Sequence, residues 1–475
     1  MAKPHVVILG AGPAGLGAAF ELTRRALARV TLLEQNNWVG GNAGSFELEG
    51  FRVDYGSHRL HPACDPEVLQ DIRALLGDDL LDRPRHGRIR LCGRWIHFPL
   101  KPIDLALGVP ARFSVGVAAD LMRKAFGNGT GLDHQETFAS VLRTGLGRTI
   151  CDHFYFPYVE KIWGVRPEEL AVTLARRRVS ANSLSRMLRK IFAAPAGSQG
   201  NAKGRFFYPR HGFGQISEVY CRAAREAGAD IHLECRVQAA DIDQGAVRIS
   251  YQDRDGRNLA LDADRLWSTI PITALAKCLK KPPPSEILRA TEGIHYRAMI
   301  LIYLVLEQER FSEFDAHYFP EAAIPISRLS EPKNYSDGRG PKHLTVLCGE
   351  LPCAPDGPEW NRSDHELGQL ACNALATAGI PVSAPVRRVV IRRLRQAYPI
   401  YAQGYEGYFN PLDQWLGGMD RLLTFGRQGL FAHDNTHHAL YMAYCAVKCL
   451  GEDGHFDRER WQSFRREFET HVVED

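Results

Sequence analysis

Residues 5–9, HVVIL, form an apolar run that leads straight into Gly10-x-Gly12-x-x-Gly15 and then into the helix-forming stretch LGAAFELTRR. This strand–turn–helix order constrains the fold more than any other feature of the chain. Gly10 permits the tight turn, Gly12 lets the backbone approach a pyrophosphate, and Gly15 lets the helix pack closely on the strand; Pro13 and Ala14 lie between them. The unpaired N–H groups at such a helix start face phosphates. A second strand, residues 30–34, ends at Glu34 and is followed by Gln35. An acid at that distance bonds the ribose hydroxyls of a bound adenosine. A lone glycine motif is a weak signal, and a chance Gly-rich turn is the alternative. Here the strand before, the helix after and the acid behind all stand in place. The expected fold class is α/β, with a Rossmann-type dinucleotide-binding domain.

A chain of 475 residues is long enough for two or three domains and a sizeable core. Its 45% hydrophobic and 24% charged residues are those of a globular protein. A net charge of +4 on this length argues against a nucleic-acid partner. The 11 cysteines are odd in number and contain no CxxC pair, which fits reduced thiols and a cytoplasmic location. No cysteine–histidine set has zinc spacing, so no metal is expected. No signal peptide precedes the first strand, and no apolar run reaches the ~18 residues of a membrane span. Residues 102–126 are apolar and loosely amphipathic. They read as a helix over a substrate cavity, with a membrane contact or a homodimer contact as open alternatives.

Along the chain, residues 1–100 read as the first part of the nucleotide-binding domain. They include a helix after residue 65 and a hairpin over residues 88–98 that turns at Gly93. Residues 101–200 are mainly helical, with helices expected over 137–146 and 180–192 and a loop over 194–203. Residues 201–285 return to the nucleotide-binding domain, with strands at 230–237, 246–251, 259–261 and 265–271. Residues 286–400 are sheet-rich, with strands at 296–306, 316–318 and 343–348. Residues 401–475 close the nucleotide-binding domain with a last helix over 435–450.

A second glycine turn, Gly40-Gly41-Asn42-Ala43-Gly44-Ser45, follows Glu34. Five further blocks then come in order: Asp54-Tyr55-Gly56-Ser57-His58; Tyr158-x-x-Lys161-x-Trp163; Phe207-Tyr-Pro-Arg-His-Gly-Phe-Gly214; the Tyr318-Phe-Pro-Glu segment with Arg328 and Asn334-Tyr-Ser; and Gly426-Arg427-Gln-Gly429 with Asn435 and His438. Together they resemble the UDP-galactopyranose mutase branch of the FAD amine-oxidase and protoporphyrinogen-oxidase superfamily, over nearly the whole chain. The resemblance implies a GR2-like FAD domain interleaved with a helical segment and a mixed-sheet substrate domain. It implies non-covalent FAD held by the first glycine turn, Glu34, Gln35, Gly41, Asn42, Ala43, Tyr55, Gly56, Ser57, His58, Val237, Gly426, Arg427, Asn435, Thr436 and His438. It places Arg328, Arg427, Tyr398, Trp163 and Tyr318 on the substrate side, with the two arginines matching those that hold a diphosphate. The pattern departs at three positions. His433 stands for a phosphate-binding Tyr, and Phe98 and Lys101 stand for the uracil readers. The FAD site is kept, while the UDP site is rewritten.

These readings lead to an FAD-dependent oxidoreductase that moves hydride between flavin and a polar, sugar- or nucleotide-sugar-type small molecule. His58, His61 and His433 are the candidate bases. Three alternatives stay open: a redox-neutral mutase-like isomerase using reduced FAD, with NAD(P)H as external reductant; an enzyme of protoporphyrinogen-oxidase or desaturase type on an apolar substrate; and a flavin-binding structural protein. Arg328 and Arg427 could equally be structural ion pairs, and His58 a turn histidine.

Overall fold

The computed structural model describes residues 3–99, 104, 108–126, 136–178, 204–243, 245–336 and 340–473. Two sheets organise them. The first is parallel and five-stranded. Its order is Leu422–Thr424, Arg265–Ser268, His5–Leu9 (β1), Arg29–Leu33 (β2) and Asp230–His232. A parallel sheet must be covered on both faces. Accordingly Val6, Ile8, Val30 and Leu32 pack into the core that contains the helices Pro13–Arg24 (α1), Gln215–Glu226 and Thr436–Lys448. Val7, Leu9, Leu33 and Leu266 point the other way, into a core that includes Ala240, Val247 and Ile249. Those three come from an antiparallel sheet of Arg236–Ile242, Val247–Gln252 and Asn258–Ala263.

The second sheet has seven strands, in the order Val386–Pro399, Tyr296–Leu306, Thr345–Cys353, Arg328–Ser330, Ala316–Tyr318, Gly87–Leu91 and Arg94–Phe98. Its second strand, Tyr296–Leu306, is apolar on both faces. Ile300, Ile302 and Leu304 pack toward the helix Asp364–Thr377, whereas Leu301, Tyr303 and Val305 share a core with Tyr55 and Phe51. The hairpin expected at Gly93 forms with Cys92 and Gly93 both at positive φ, 52° and 79°. Left-handed conformations at both loop positions match the twist of a two-residue hairpin.

Several expected elements differ. The run 230–237 is not one strand: it breaks at Glu234, whose φ is +57°, into Asp230–His232 and Arg236–Ile242. The expected last helix is present as Thr436–Lys448, but another, Arg458–Phe468, follows it. The helices Asp364–Thr377 and Glu406–Gly417 and the 14-residue strand Val386–Pro399 lie where no element was expected. The helix expected over 137–146 runs Phe138–Leu146 from a Thr137 cap. Within 102–126 a helix spans Ala111–Phe126, with Phe113 buried and Val115 and Met122 exposed. The readings at 180–192 and 194–203, and Lys101, lie outside the described residues. Among the described residues no helix is long and apolar enough to cross a membrane.

Candidate functional site

A cleft of about 500 Å³ opens where β1 and β2 end. Gly10 (φ +97°) turns the chain out of β1. A Cβ at Gly15 would lie 2.0 Å from the Gly10 carbonyl oxygen, so only glycine lets α1 sit this close. A Cβ at Gly12 would meet nothing within 4 Å, because that face is turned to the cleft. Gly12 is also the N-cap of α1 and gives it no side-chain cap. Pro13 and Ala14 complete this wall. Glu34 is buried at the far end of the turn. It accepts the N–H of Ala11 (2.8 Å) and both nitrogens of Asn36 (2.9 and 2.7 Å), spending three of about four acceptor sites on the protein. Gln35 is exposed at the rim. Gly41, Asn42 and Ala43 form a 3-10 turn lining the cleft, and Asn42 donates to the Gln396 carbonyl (3.2 Å). The closing turn reaches this wall because a Cβ at Gly426 (φ +78°) would lie 2.6 Å from that of Ala14.

The loop Tyr55-Gly56-Ser57-His58 enters from a second direction, with Gly56 at φ +100°. Buried Asp54 anchors its start, accepting from Ser45 Oγ (2.6 Å), Tyr208 OH (2.6 Å) and Phe213 N (2.8 Å). Burial nevertheless leaves the Asp54 pKa raised. Ser57 N–H donates to Glu350 (2.8 Å), and its hydroxyl meets Tyr335 OH (2.5 Å). His58 lines the cleft, lies on the Phe213 ring (5.3 Å), and bonds the Tyr55 carbonyl through Nε2 (3.0 Å). Burial lowers its pKa more than Asp54 raises it, so the ring is neutral.

Arg328 faces the same space, with Nε and Nη2 on Glu350 at 3.0 and 2.9 Å. Burial opposes its charge, but Glu350 and nearby tyrosines outweigh burial and hold its pKa above the ordinary arginine value. Arg427 lies over the Tyr398 ring (5.4 Å) and donates to the carbonyls of Ala397 (2.6 Å) and Asp434 (3.1 Å). His433 lines the cleft and meets Tyr398 (5.3 Å) and Trp163 (5.8 Å) edge-on. Asn435 and Thr436 line it at the start of the helix Thr436–Lys448.

Other expected residues stand apart from this lining. Trp163 is buried behind Tyr398, its indole N–H on the Pro399 carbonyl (3.2 Å). Tyr318 accepts from Arg59 (3.0 Å), and Phe98 packs on the Tyr318 ring (5.2 Å). His61 accepts the N–H of Ala63 through Nδ1 (3.0 Å). Val237 is in the antiparallel sheet opposite Tyr251. Gly15 and Gly56 act through backbone packing. His438 caps its own helix by accepting the Asn435 N–H (3.3 Å) and stacks on His471 (4.2 Å). Ligand atoms of Asp434, His438 and His471 lie within 4.8 Å of one another, but Arg177 already holds the Asp434 carboxylate at 3.0 Å.

Sequence reasoning missed Arg59 and Glu350, which also line the cleft. Arg59 directly follows the quoted loop; it donates to Asp315 (3.1 Å) and to the hydroxyls of Tyr318 and Tyr335. Glu350 is the one acid in the buried strand TVLCGELPC, and a buried acid needs a charged partner. That isolation was the available signal. Lys161, from the quoted helix motif, donates to the carbonyls of Phe319, Glu321 and Ile326, and burial pulls its pKa down to about 7. It moors the segment that leads to Arg328.

Comparison with known proteins places this architecture. The chain is 37% identical to phytoene dehydrogenase of Streptomyces griseus over 117 residues, 25% of this chain and 19% of that protein's length. It is 21% identical to protoporphyrinogen oxidase 2 of Arabidopsis thaliana over 459 residues, 86% of this chain and 87% of that protein. Among solved structures, reduced UDP-galactopyranose mutase superposes with a TM-score of 0.78 at 21% identity, covering 94% of each chain. These likenesses establish a shared fold, and the activities in those names belong to those proteins. The family model for flavin containing amine oxidoreductases matches residues 13–443, and the chain belongs to that family.

Proposed function

We propose that the chain is an FAD-dependent oxidoreductase that transfers hydride to or from a polar, sugar- or nucleotide-sugar-type substrate. One observation carries this reading: a single cleft joins the dinucleotide turn (Gly10, Gly12, Glu34, Gly41) to a polar wall of His58, Arg328, Tyr398, Arg427 and His433. The residues present fit FAD. Gly12 leaves open space where any larger side chain would project, and the first turn of α1 is uncapped toward it. Bound FAD supplies a hydride acceptor or donor at its N5.

The chain supplies the rest. Glu34 and the start of α1 take the adenosine diphosphate end. Asn435 and Thr436 bring a helix N-terminus to the other end, where its dipole favours negative charge. His58 presents a neutral imidazole that takes a substrate proton. Arg427 and Tyr398 orient an anionic or polar group. In the proposed division, residues 1–100, 201–285 and 401–475 hold the cofactor. Residues 101–200 and 286–400 form the substrate side.

Purified protein is expected to be yellow and to release its chromophore on heat denaturation. Candidate sugars and nucleotide sugars are then added anaerobically. Bleaching of the oxidised flavin supports hydride transfer. Turnover that needs prior dithionite reduction, with no net flavin oxidation, favours a redox-neutral isomerase instead. Colourless protein that takes up no FAD overturns the reading.

A further inference from the structure

We propose that Glu350 sets the charge preference of the cleft wall beside His58: it holds Arg328 in a closed ion pair, so that this wall reads uncharged hydroxyl or carbonyl groups and excludes a diphosphate. The inference rests on the reading of the cleft as a flavin and substrate site, and it deepens that reading by naming the substrate chemistry.

Glu350 lies in Thr345–Cys353, a strand buried at all nine positions. A carboxylate there persists only with a charged partner and hydrogen bonds. It has both. Arg328 gives it Nε and Nη2 at 3.0 and 2.9 Å, the two-point contact that a guanidinium otherwise offers to phosphate. The Ser57 N–H adds a third bond at 2.8 Å. The fork of Arg328 is therefore engaged before any substrate arrives. A diphosphate brought to Arg328 would also meet the Glu350 charge directly behind it, and like charges brought together disfavour that ligand.

The neighbouring cation repeats the arrangement. Arg59 is paired with Asp315 at 3.1 Å and bonded to the hydroxyls of Tyr318 (3.0 Å) and Tyr335 (3.3 Å). Arg328 and Arg59 each bring their own carboxylate, so the part of the wall beside His58 is strongly polar yet carries no net charge, whereas Arg427 rests on backbone carbonyls. The part beside His58 offers N–H donors beside carboxylate acceptors, and a hydroxyl can use both.

The test is calorimetric titration of inorganic pyrophosphate into the flavin-loaded protein, in wild type, Glu350→Gln and the double variant Arg328→Gln/Glu350→Gln. Glu350→Gln uncovers the Arg328 charge and is expected to tighten pyrophosphate binding at least tenfold. The double variant removes both charges and is expected to bind within threefold of wild type. A smaller tightening, or a weakening, in Glu350→Gln overturns the proposal. Should that variant lose its flavin or its fold, the double variant decides. Binding within threefold of wild type supports the closed pair, and a larger loss shows that Arg328 itself takes the anion. Failure of the flavin reading would appear separately, as wild-type protein without a flavin spectrum.

Discussion

His58 bonds the carbonyl oxygen of Tyr55 through Nε2 at 3.0 Å. A carbonyl only accepts, so Nε2 carries the hydrogen, and in the neutral ring Nδ1 keeps the lone pair. Burial, the largest influence on this ring, holds the pKa below 6.5, so the imidazole stays deprotonated at neutral pH. The sign follows. As the proposed base, His58 is expected to give activity an acid limb that lies below pH 6.5, where the ring protonates. His58→Gln is expected to lower kcat/KM by roughly 10²–10⁴-fold, the usual range for a general base, and to remove that acid limb. The pH dependence of kcat/KM in both proteins checks this. An identical acid limb in the variant would assign it to another group.

Gly12 and Gly15 are expected to separate cofactor binding from folding. A Cβ at Gly15 would sit 2.0 Å from the Gly10 carbonyl oxygen, whereas at Gly12 it would enter open space in the cleft. Gly15→Ala is therefore expected to destabilise the fold by about 1–3 kcal/mol, the range for overpacking. Gly12→Ala should keep the melting temperature of the cofactor-free protein and lose most bound flavin. Thermal denaturation of apoprotein, with flavin content measured alongside, distinguishes the two variants. Equal loss of stability in both would contradict the cleft-facing placement of Gly12.

How far the sequence could be read follows from where its signals are local. The first glycine turn depends on three nearby glycines and an acid one strand later, and the cleft places Gly10, Gly12 and Glu34 together. The strand Tyr296–Leu306 was legible as an apolar run because it is buried on both faces. Val386–Pro399 was not. It begins the seven-stranded sheet's order, and it carries five arginines, at 387, 388, 392, 393 and 395, spread over both faces, which break the apolar alternation. Arg458–Phe468 hides similarly, since Trp461 and Phe468 alone are buried in a run of charges. In the site, Glu350 and Arg59 were missed because their meaning is a pairing. Glu350 lies 22 residues from Arg328, and Asp315 lies 256 residues from Arg59. No spacing rule joins them. The family pattern conversely gave weight to Phe98 and Tyr318, which pack on each other away from the cleft lining.

His317 is expected to make the fold acid-sensitive. It is 1% exposed, among the rings of Trp95, Phe311 and Phe314. Burial, with Arg88 nearby, pushes its pKa down to about 3. Above pH 6.5 it is neutral whether folded or unfolded. As pH falls from 6.5 toward 3, the unfolded chain takes up a proton that the folded one refuses, and stability drops by about 1.4 kcal/mol per pH unit. His317→Leu should remove about 2 kcal/mol of the stability lost between pH 6.5 and 5. Urea denaturation at pH 7 and pH 5 gives both numbers for each protein. The same pH dependence in the variant would mean that His317 takes its proton inside the fold.

Arg427 is held by geometry that lysine cannot reproduce. Its two terminal nitrogens reach the carbonyls of Ala397 and Asp434, while the guanidinium plane lies over Tyr398 at 5.4 Å. Lysine keeps the charge and loses both the fork and the stacking. If the arginine orients an anionic substrate group, Arg427→Lys should raise KM by about 10–100-fold, or roughly 1.4–3 kcal/mol, with a smaller change in kcat. Tyr398→Phe keeps the ring under the cation and should change KM little, whereas Tyr398→Ala should approach the Arg427→Lys value. A structural role gives a different pattern. The melting temperature of Arg427→Lys would fall by several degrees while KM in the folded fraction stayed near wild type. Steady-state kinetics and melting curves on the same three variants separate orientation of substrate from support of the 397–434 contact.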